Sequence, residues 1–162
     1  MLHRIRVAGL VRHEGKILLV HQQNRHGSRI WSLPGGRLEP SDEDLFSGVI
    51  REVWEETGLT VQSGALRFVS EYSAPDLFAL TLIVECSLAD GEHPDNIHIN
   101  NTMEDDNIHG VAWWPEEKVR SETGAISRTL RRSDFWKALE EETISVLHLG
   151  RHEDAGSSSP AD

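Results

Sequence analysis

The chain has 162 residues, a length that suits one domain built on one hydrophobic core. Its formal net charge of −11 argues against sequence-independent binding to duplex nucleic acid, which relies on Lys/Arg contacts to phosphate. If a small-molecule substrate is itself anionic, something in the site must reverse the local sign.

The single cysteine, Cys86, rules out an intrachain disulfide, and its apolar neighbours predict a small core residue. No run approaches the ~18 apolar residues of a membrane helix. His3, Arg4, Arg6 and Arg12 interrupt the N-terminus where a signal peptide would be continuously apolar. A reducing, cytoplasmic setting with no membrane partner is the expectation.

Ile5–Val11 and Lys16–His21 are apolar runs on either side of His13-Glu14-Gly15 and predict a β-hairpin. Gln22–Arg29 is polar and basic and reads as a loop, and Trp31–Leu33 leads into a break at Pro34-Gly35-Gly36. Ser41–Thr57 predicts a helix. Ser41 supplies a cap, with Asp44 three residues on. Asp42, Glu43 and Asp44 suit the positive end of the helix dipole. Phe46, Val49, Ile50 and Val53 form one apolar face, and Gly58 ends the helix.

Leu66–Tyr72 and Leu77–Leu88 predict two further strands, Ala89–Asn107 a long polar loop, and Ile108–Trp114 a strand closed by Pro115. Glu116–Val119 predicts a short helix and Ser127–Glu141 a longer one. Ile144–Leu149 fits either a last strand or a helix extension. Residues 1–149 are expected to form the domain, and Gly150–Asp162, polar and Ser-rich, a disordered tail. This mixture of strands and helices argues for a layered α/β domain.

Glu52, Glu55 and Glu56 stand at i, i+3 and i+4, so a helix brings the three carboxylates to one face. Like charges at these spacings cost about 0.2–0.5 kcal/mol per pair. Arg51 offsets part of this by reaching Glu55 at i+4, yet it is one cation against three anions. A bound divalent cation would remove the conflict. Hard oxygen ligands without Cys or His point to Mg²⁺ or Mn²⁺ rather than zinc. His93 and His98 have no Cys partners, and His148 and His152 lie near the tail. Gly48 sits on the carboxylate face one turn before Glu52, where a glycine leaves room for a ligand. Gly35-Gly36 allows close backbone approach to a metal or phosphate.

These residues resemble the signature of the Nudix hydrolase family: Gly36, Glu43, Arg51-Glu52, Val53, Trp54, Glu55-Glu56, Thr57, Gly58, Leu59. The family places five residues between the Gly and the first Glu. Here there are six, Arg37–Asp42, taken as a loop insertion ahead of the helix. Val111-Ala112-Trp113-Trp114-Pro115 also looks like part of the family's sheet. The resemblance implies a Nudix-type α/β/α sandwich with a mixed β-sheet. It also implies hydrolysis of a phosphoanhydride in a nucleoside diphosphate derivative by water, with divalent ions bridging the diphosphate and a Glu as base.

On that basis Glu52 and Glu56 are the principal metal ligands, Glu55 is a further ligand, and the Gly35 carbonyl completes the site. Arg51 orients the carboxylates. The base lies in the motif, as Glu52 or Glu55, or in the late acidic loop of Glu104, Asp105 and Asp106. Arg25, Arg29 and Arg37 are candidates to grip phosphate. Trp31, Tyr72 and Phe78 could stack on a base, with core or rim packing the better account of each.

Pro75, sixteen residues after Leu59, resembles the ADP-ribose pyrophosphatase pattern. Against it, those enzymes carry an N-terminal dimerisation segment, and this chain begins at its first strand. Nucleoside triphosphate or dinucleoside polyphosphate hydrolysis therefore stays open, as does a homodimer. A non-catalytic nucleotide-binding module is the rival of another class, opposed by the intact Glu52, Glu55 and Glu56; an isomerase is a third.

Overall fold

The structure, a computed structural model, describes residues 1–99, 107–141 and 145–153. Val7, Gly9 and Val11 alternate with Ala8 and Leu10 along β1 (Leu2–His13), so this strand presents side chains to two covered faces. It pairs in parallel with β6 (Leu77–Leu88). β6 pairs antiparallel with β5 (Val61–Ala74), and β5 pairs in parallel with β8 (Leu147–Glu153).

The expected hairpin forms, but it opens almost at once. Glu14 and Gly15 make its turn, both with positive φ (47° and 73°), the twist that a two-residue hairpin needs. β2 (Lys16–Gln23) meets β1 only at Arg12↔Ile17 and His13↔Lys16. It then diverges to pair with β3 (Arg29–Ser32) and β7 (Ile108–Pro115). The gap left beside β1 is filled by β4 (Gly35–Arg37), which pairs with Arg6–Ala8. The result is a mixed eight-stranded sheet.

Helix α1 (Leu45–Thr57) covers one face, where Val49 and Val53 pack with Val7, Val11, Leu18 and Val84. Gly9 lets this helix sit close: a Cβ there would lie 2.6 Å from a Val53 methyl. The other face is covered by α2 (Glu116–Ser121), α3 (Arg128–Arg131) and α4 (Ser133–Glu140). Their Val119, Leu130, Phe135, Trp136 and Leu139 pack with Leu10, Ile17, Leu19, Phe68 and Ile83. This is the expected α/β/α arrangement. Cys86 is buried in the α1-side core, and burial pushes its thiol up to about 12. Among the described residues no helix is long and apolar enough to cross a membrane.

Three expectations need correction. Helix α1 does not start at Ser41. Residues 39–42 form their own turn, in which Asp42 accepts a hydrogen bond from the Glu39 amide. The cap is instead Asp44, which exchanges hydrogen bonds with Ser47 in a capping box. The expected Ser127–Glu141 helix is two helices broken at Arg132. In one helix Leu130 and Phe135 would point about 140° apart. The break lets both reach the core, while Trp136 Nε1 donates to the freed Leu130 carbonyl at 2.8 Å. Finally, Gly150–Glu153 are not tail but the second half of β8, paired with Glu71–Ser73.

Gly35 is fixed by the entry of β4, since a Cβ there would lie 2.3 Å from the Val7 carbonyl oxygen. We expect Gly35→Ala to cost about 1–3 kcal/mol by overpacking, lowering Tm by about 3 °C or more. A thermal melt with an unchanged midpoint would contradict this placement of β4.

Candidate active site

Arg51 lies at the centre of the motif face. Its Nε and Nη2 donate to the two oxygens of Asp42 at 2.7 and 2.8 Å. Its Nη1 donates to Glu52 at 2.9 Å and to Glu55 at 3.2 Å, and Nη2 also reaches the Arg37 carbonyl at 3.0 Å. The guanidinium thus ties the β4 loop to the helix and holds two of the three motif carboxylates. Its bond to Asp42, ahead of that to Glu52, raises its proton affinity above the ordinary value. Asp42 is held below the usual carboxylate range by the same bonds.

Asp42 was not among the expected site residues, and it corrects the alignment of the motif. It follows Gly36 after five residues, Arg37–Ser41, which is the family's spacing. Glu43 is exposed. The extra residue therefore lies after the acid that pairs with Arg51, not before it. The signal was present in the spacing, but Asp in place of Glu concealed it.

Glu52 is 8% exposed. Gly36 makes its berth: a Cβ there would lie 2.5 Å from Glu52 Oε2. Burial raises the proton affinity of Glu52, Arg51 opposes this, Glu55 adds to it and Arg6 opposes it weakly. One turn on, Glu56 accepts a hydrogen bond from the Gly35 amide at 3.0 Å. The glycine pair is thus matched to two carboxylates, although its amide rather than its carbonyl makes the observed contact. Gly48 leaves no room for a ligand. A Cβ there would lie 2.8 Å from Leu38 and 3.0 Å from Asp42, so it accommodates the loop that delivers Asp42.

Glu52, Glu55 and Glu56 are hard oxygen donors on one helix face, and Glu52 occupies a cradle that any side chain at Gly36 would fill. That donor set fits a divalent cation such as Mg²⁺ or Mn²⁺. As placed, no three His, Cys, Asp or Glu side chains among the described residues converge on one point; Glu52 and Glu55 share Arg51, and Glu56 is held by the Gly35 amide.

The candidate phosphate-binding arginines separate. Arg37 is exposed at the end of β4, in register with Arg6. Arg25, from the β2–β3 loop, pairs with Asp76 at 2.7 Å and lies near the Tyr72 hydroxyl at 3.4 Å. Arg29 is exposed at the start of β3. Its charge, after burial and together with His109, lowers the proton affinity of His21. Glu104, Asp105 and Asp106 lie outside the described residues.

Trp31 stacks on His21 at 4.7 Å and packs on the core. Phe78 packs beside His3 and under Arg151. Tyr72 faces His152, which in turn contacts Arg128, so His152 is no incidental tail residue. Pro75 lies in the tight turn between β5 and β6, a position that suits its fixed φ.

A family model described as the NUDIX domain matches residues 2–151. The chain belongs to the Nudix family. It is 37% identical over 89 residues to "Phosphatase NudJ" of Escherichia coli K12, covering 51% of this chain and 57% of that protein. The match therefore spans little more than half the length of these curated relatives. Among solved structures, the MutT protein from Methanosarcina mazei Go1 superposes with a TM-score of 0.65 at 25% identity, covering 85% of this chain and 93% of that one. An ADP-ribose pyrophosphatase from Streptococcus suis gives 0.59 at 19% identity, with coverage of 92% and 98%. At that identity the likeness is one of fold. These neighbours share the mixed sheet and helices described above.

The raised Glu52 proton affinity has a consequence for stability. The folded state holds the proton more tightly than the unfolded one, so folding is favoured below the ordinary Glu range and penalised as pH rises through the folded value. Glu52→Gln removes that penalty. It is expected to raise Tm at pH 7–8 and to lose this gain as pH falls below about 4.5. A lower Tm at pH 8 would show that the Arg51–Glu52 bond outweighs desolvation.

Proposed function

We propose that this chain is a divalent-metal-dependent hydrolase that cleaves the pyrophosphate bond of a nucleoside diphosphate derivative such as ADP-ribose. The observation that carries this reading is the buried Glu52, held in the Gly36 cradle by Arg51 with Glu55 and Glu56 beside it. A surface helix gains nothing by desolvating a carboxylate next to two others. A site that must bind a cation does.

Glu52 and Glu56 are the principal candidate ligands, with Glu55 and the Gly35 carbonyl completing the set. A bound Mg²⁺ or Mn²⁺ would neutralise the diphosphate, lower the pKa of water and stabilise the departing phosphate. Arg51 acts on the carboxylates and not on substrate, since its nitrogens are occupied by Asp42, Glu52, Glu55 and the Arg37 carbonyl. Arg37, Arg25 and Arg29 are the candidates to meet phosphate oxygens.

The proton of the attacking water passes to Glu52 or Glu55, or to Glu104. The segment that contains Glu104 is anchored at described positions on both sides. The His98 amide donates to the Thr57 carbonyl at the end of α1, and the Asn107 carbonyl accepts from the Gln23 amide.

Chelation by EDTA is expected to abolish hydrolysis, with Mg²⁺ or Mn²⁺ restoring it; turnover that survives exhaustive chelation would refute the metal assignment. Glu56→Gln keeps size and helix propensity. It should leave the fold intact by circular dichroism, lower kcat by at least about 10²-fold, and shrink the thermal shift produced by Mn²⁺. A folded variant with full activity and an unchanged Mn²⁺ shift would return Glu56 to ordinary surface. If Glu104 is the base, Glu104→Gln lowers kcat by about 10²–10⁴-fold with the Mn²⁺ shift retained. A rate near wild type places the base in the motif helix.

A further inference from the structure

Helix α1 covers only part of its face of the sheet. Its 13 residues make a rod about 20 Å long and about 10 Å across, the width of about two strands. β4, β1, β6, β5 and β8 lie side by side on that face. Val84 and Cys86 of β6 are buried in the α1-side core, but Leu82, Leu80 and Phe78, on the same side of the strand, are only half-buried. Beside them Val69 is also half-buried and Ile5 is 51% exposed. On the opposite face Phe68, Ala79 and Ile83 of the same strands are buried.

An antiparallel pair with one solvated face carries polar residues on that face. β6 instead places Phe78, Leu80 and Leu82 there, and an apolar tract of this kind marks a contact surface. Residues 154–162, which follow β8, contain no apolar side chain larger than Pro and offer nothing of suitable size to cover it. Strand addition at β8 is disfavoured by Gly150, whose φ of 77° kinks the strand at the register shift opposite Val69 and Glu71. The contact is therefore one of faces, not of edges.

The register makes this face complementary to itself. Its middle row is Ile5, Leu80, Glu71 and Arg151. Leu82 and His148 stand on one side of that row, Phe78 and Glu153 on the other. A two-fold axis along the middle row sets Ile5 and Leu80 on their own counterparts, Leu82 against the partner's Phe78, and His148 against the partner's Glu153. Glu71 already holds Arg151 at 2.6 Å and His148 at 3.0 Å, so the charges nearest the axis are paired. Glu71 and Glu153 face Arg151, His148 and His3 across the tract, close to balance in a chain of net charge −11. Two copies meet here without the repulsion that their overall charge imposes elsewhere.

We propose that this half-covered sheet face docks a second copy of the chain, about a two-fold axis along the row from Ile5 to Arg151. The tract spans about four strands by about three rows, or about 400 Å² of sheet per copy. A standard stable interface buries about 800 Å² per partner, so the dimer is weak and forms on concentration, with a Kd that is micromolar or looser. The proposal does not depend on the hydrolase reading, because association is measured without turnover.

Sedimentation velocity of the full chain, from micromolar to sub-millimolar concentration, is expected to show a mass that rises toward twice that of one chain. Ile5→Glu should stay folded by circular dichroism and monomeric throughout, a loss of at least about 100-fold in association, because two carboxylates would meet at the axis. Leu2→Glu is the control. Leu2 is 50% exposed on the same strand but points to the other side of the sheet, and this variant should associate like wild type. A wild type that stays monomeric overturns the proposal, as does an Ile5→Glu that associates normally or a loss that is equal in both variants. Should Ile5→Glu fail to fold, Ile5→Cys gives a second measurement. Cys86 is buried, so a short bismaleimide reaches only the introduced thiol. Cross-linked dimer is expected from Ile5→Cys and not from Leu2→Cys, and equal yields would refute the two-fold contact.

Discussion

The Arg51 guanidinium is the interaction on which the site depends. Three carboxylates within two turns of one helix repel one another, and burying Glu52 makes the conflict worse. Arg51 answers with one delocalised charge shared among Asp42, Glu52 and Glu55, and its hydrogen bond to the Arg37 carbonyl fixes the loop to the helix. Lysine could not replace it, because a point charge cannot hold Asp42 with two parallel bonds while facing Glu52 with a third nitrogen. Removing it would strand the Asp42 side chain, 5% exposed, and Glu52 without a counter-charge.

Several glycines make the same arrangement sterically possible, and each acts on a different neighbour. Gly9 admits α1 to the sheet, Gly35 admits β4 to the side of β1, Gly36 admits the Glu52 carboxylate, and Gly48 admits Leu38 and Asp42. Gly58 closes the helix with a φ of 75° and leaves space for the His98 ring. His98 begins the approach to the segment that contains Glu104. The splaying of β1 from β2 belongs to the same set of constraints, since it opens the slot that β4 fills. Helix, loop and sheet edge are thus mutually dependent within the span that also holds the carboxylates.

Charge is distributed by face. Arg4, Arg6 and Arg37 line neighbouring positions on the face away from α1. Arg25 and Arg128 approach the same end of the sheet through Tyr72 and His152.

The sequence by itself determined the strands at Lys16, Leu77 and Ile108, the end of α1 at Gly58, the shared face of Glu52, Glu55 and Glu56, and the Arg51–Glu55 pair. Each follows from period, cap or spacing within a few residues, where local geometry is decisive. Only the tertiary structure decided which acid meets Arg51, because Asp42 and Glu43 are adjacent in the chain and differ only in where the loop turns. It also decided the break at Arg132, which exists to bring Leu130 and Phe135 to one core, and the extension of β8 through Glu153, which β5 supplies with partners. The setting of Arg4 and Arg6 was likewise hidden. Alternating arginines on a strand read as an interrupted apolar run until the register sets Thr81, Ala79 and Tyr72 beside them. Contacts between residues far apart in sequence carry that information, and no local pattern encodes them.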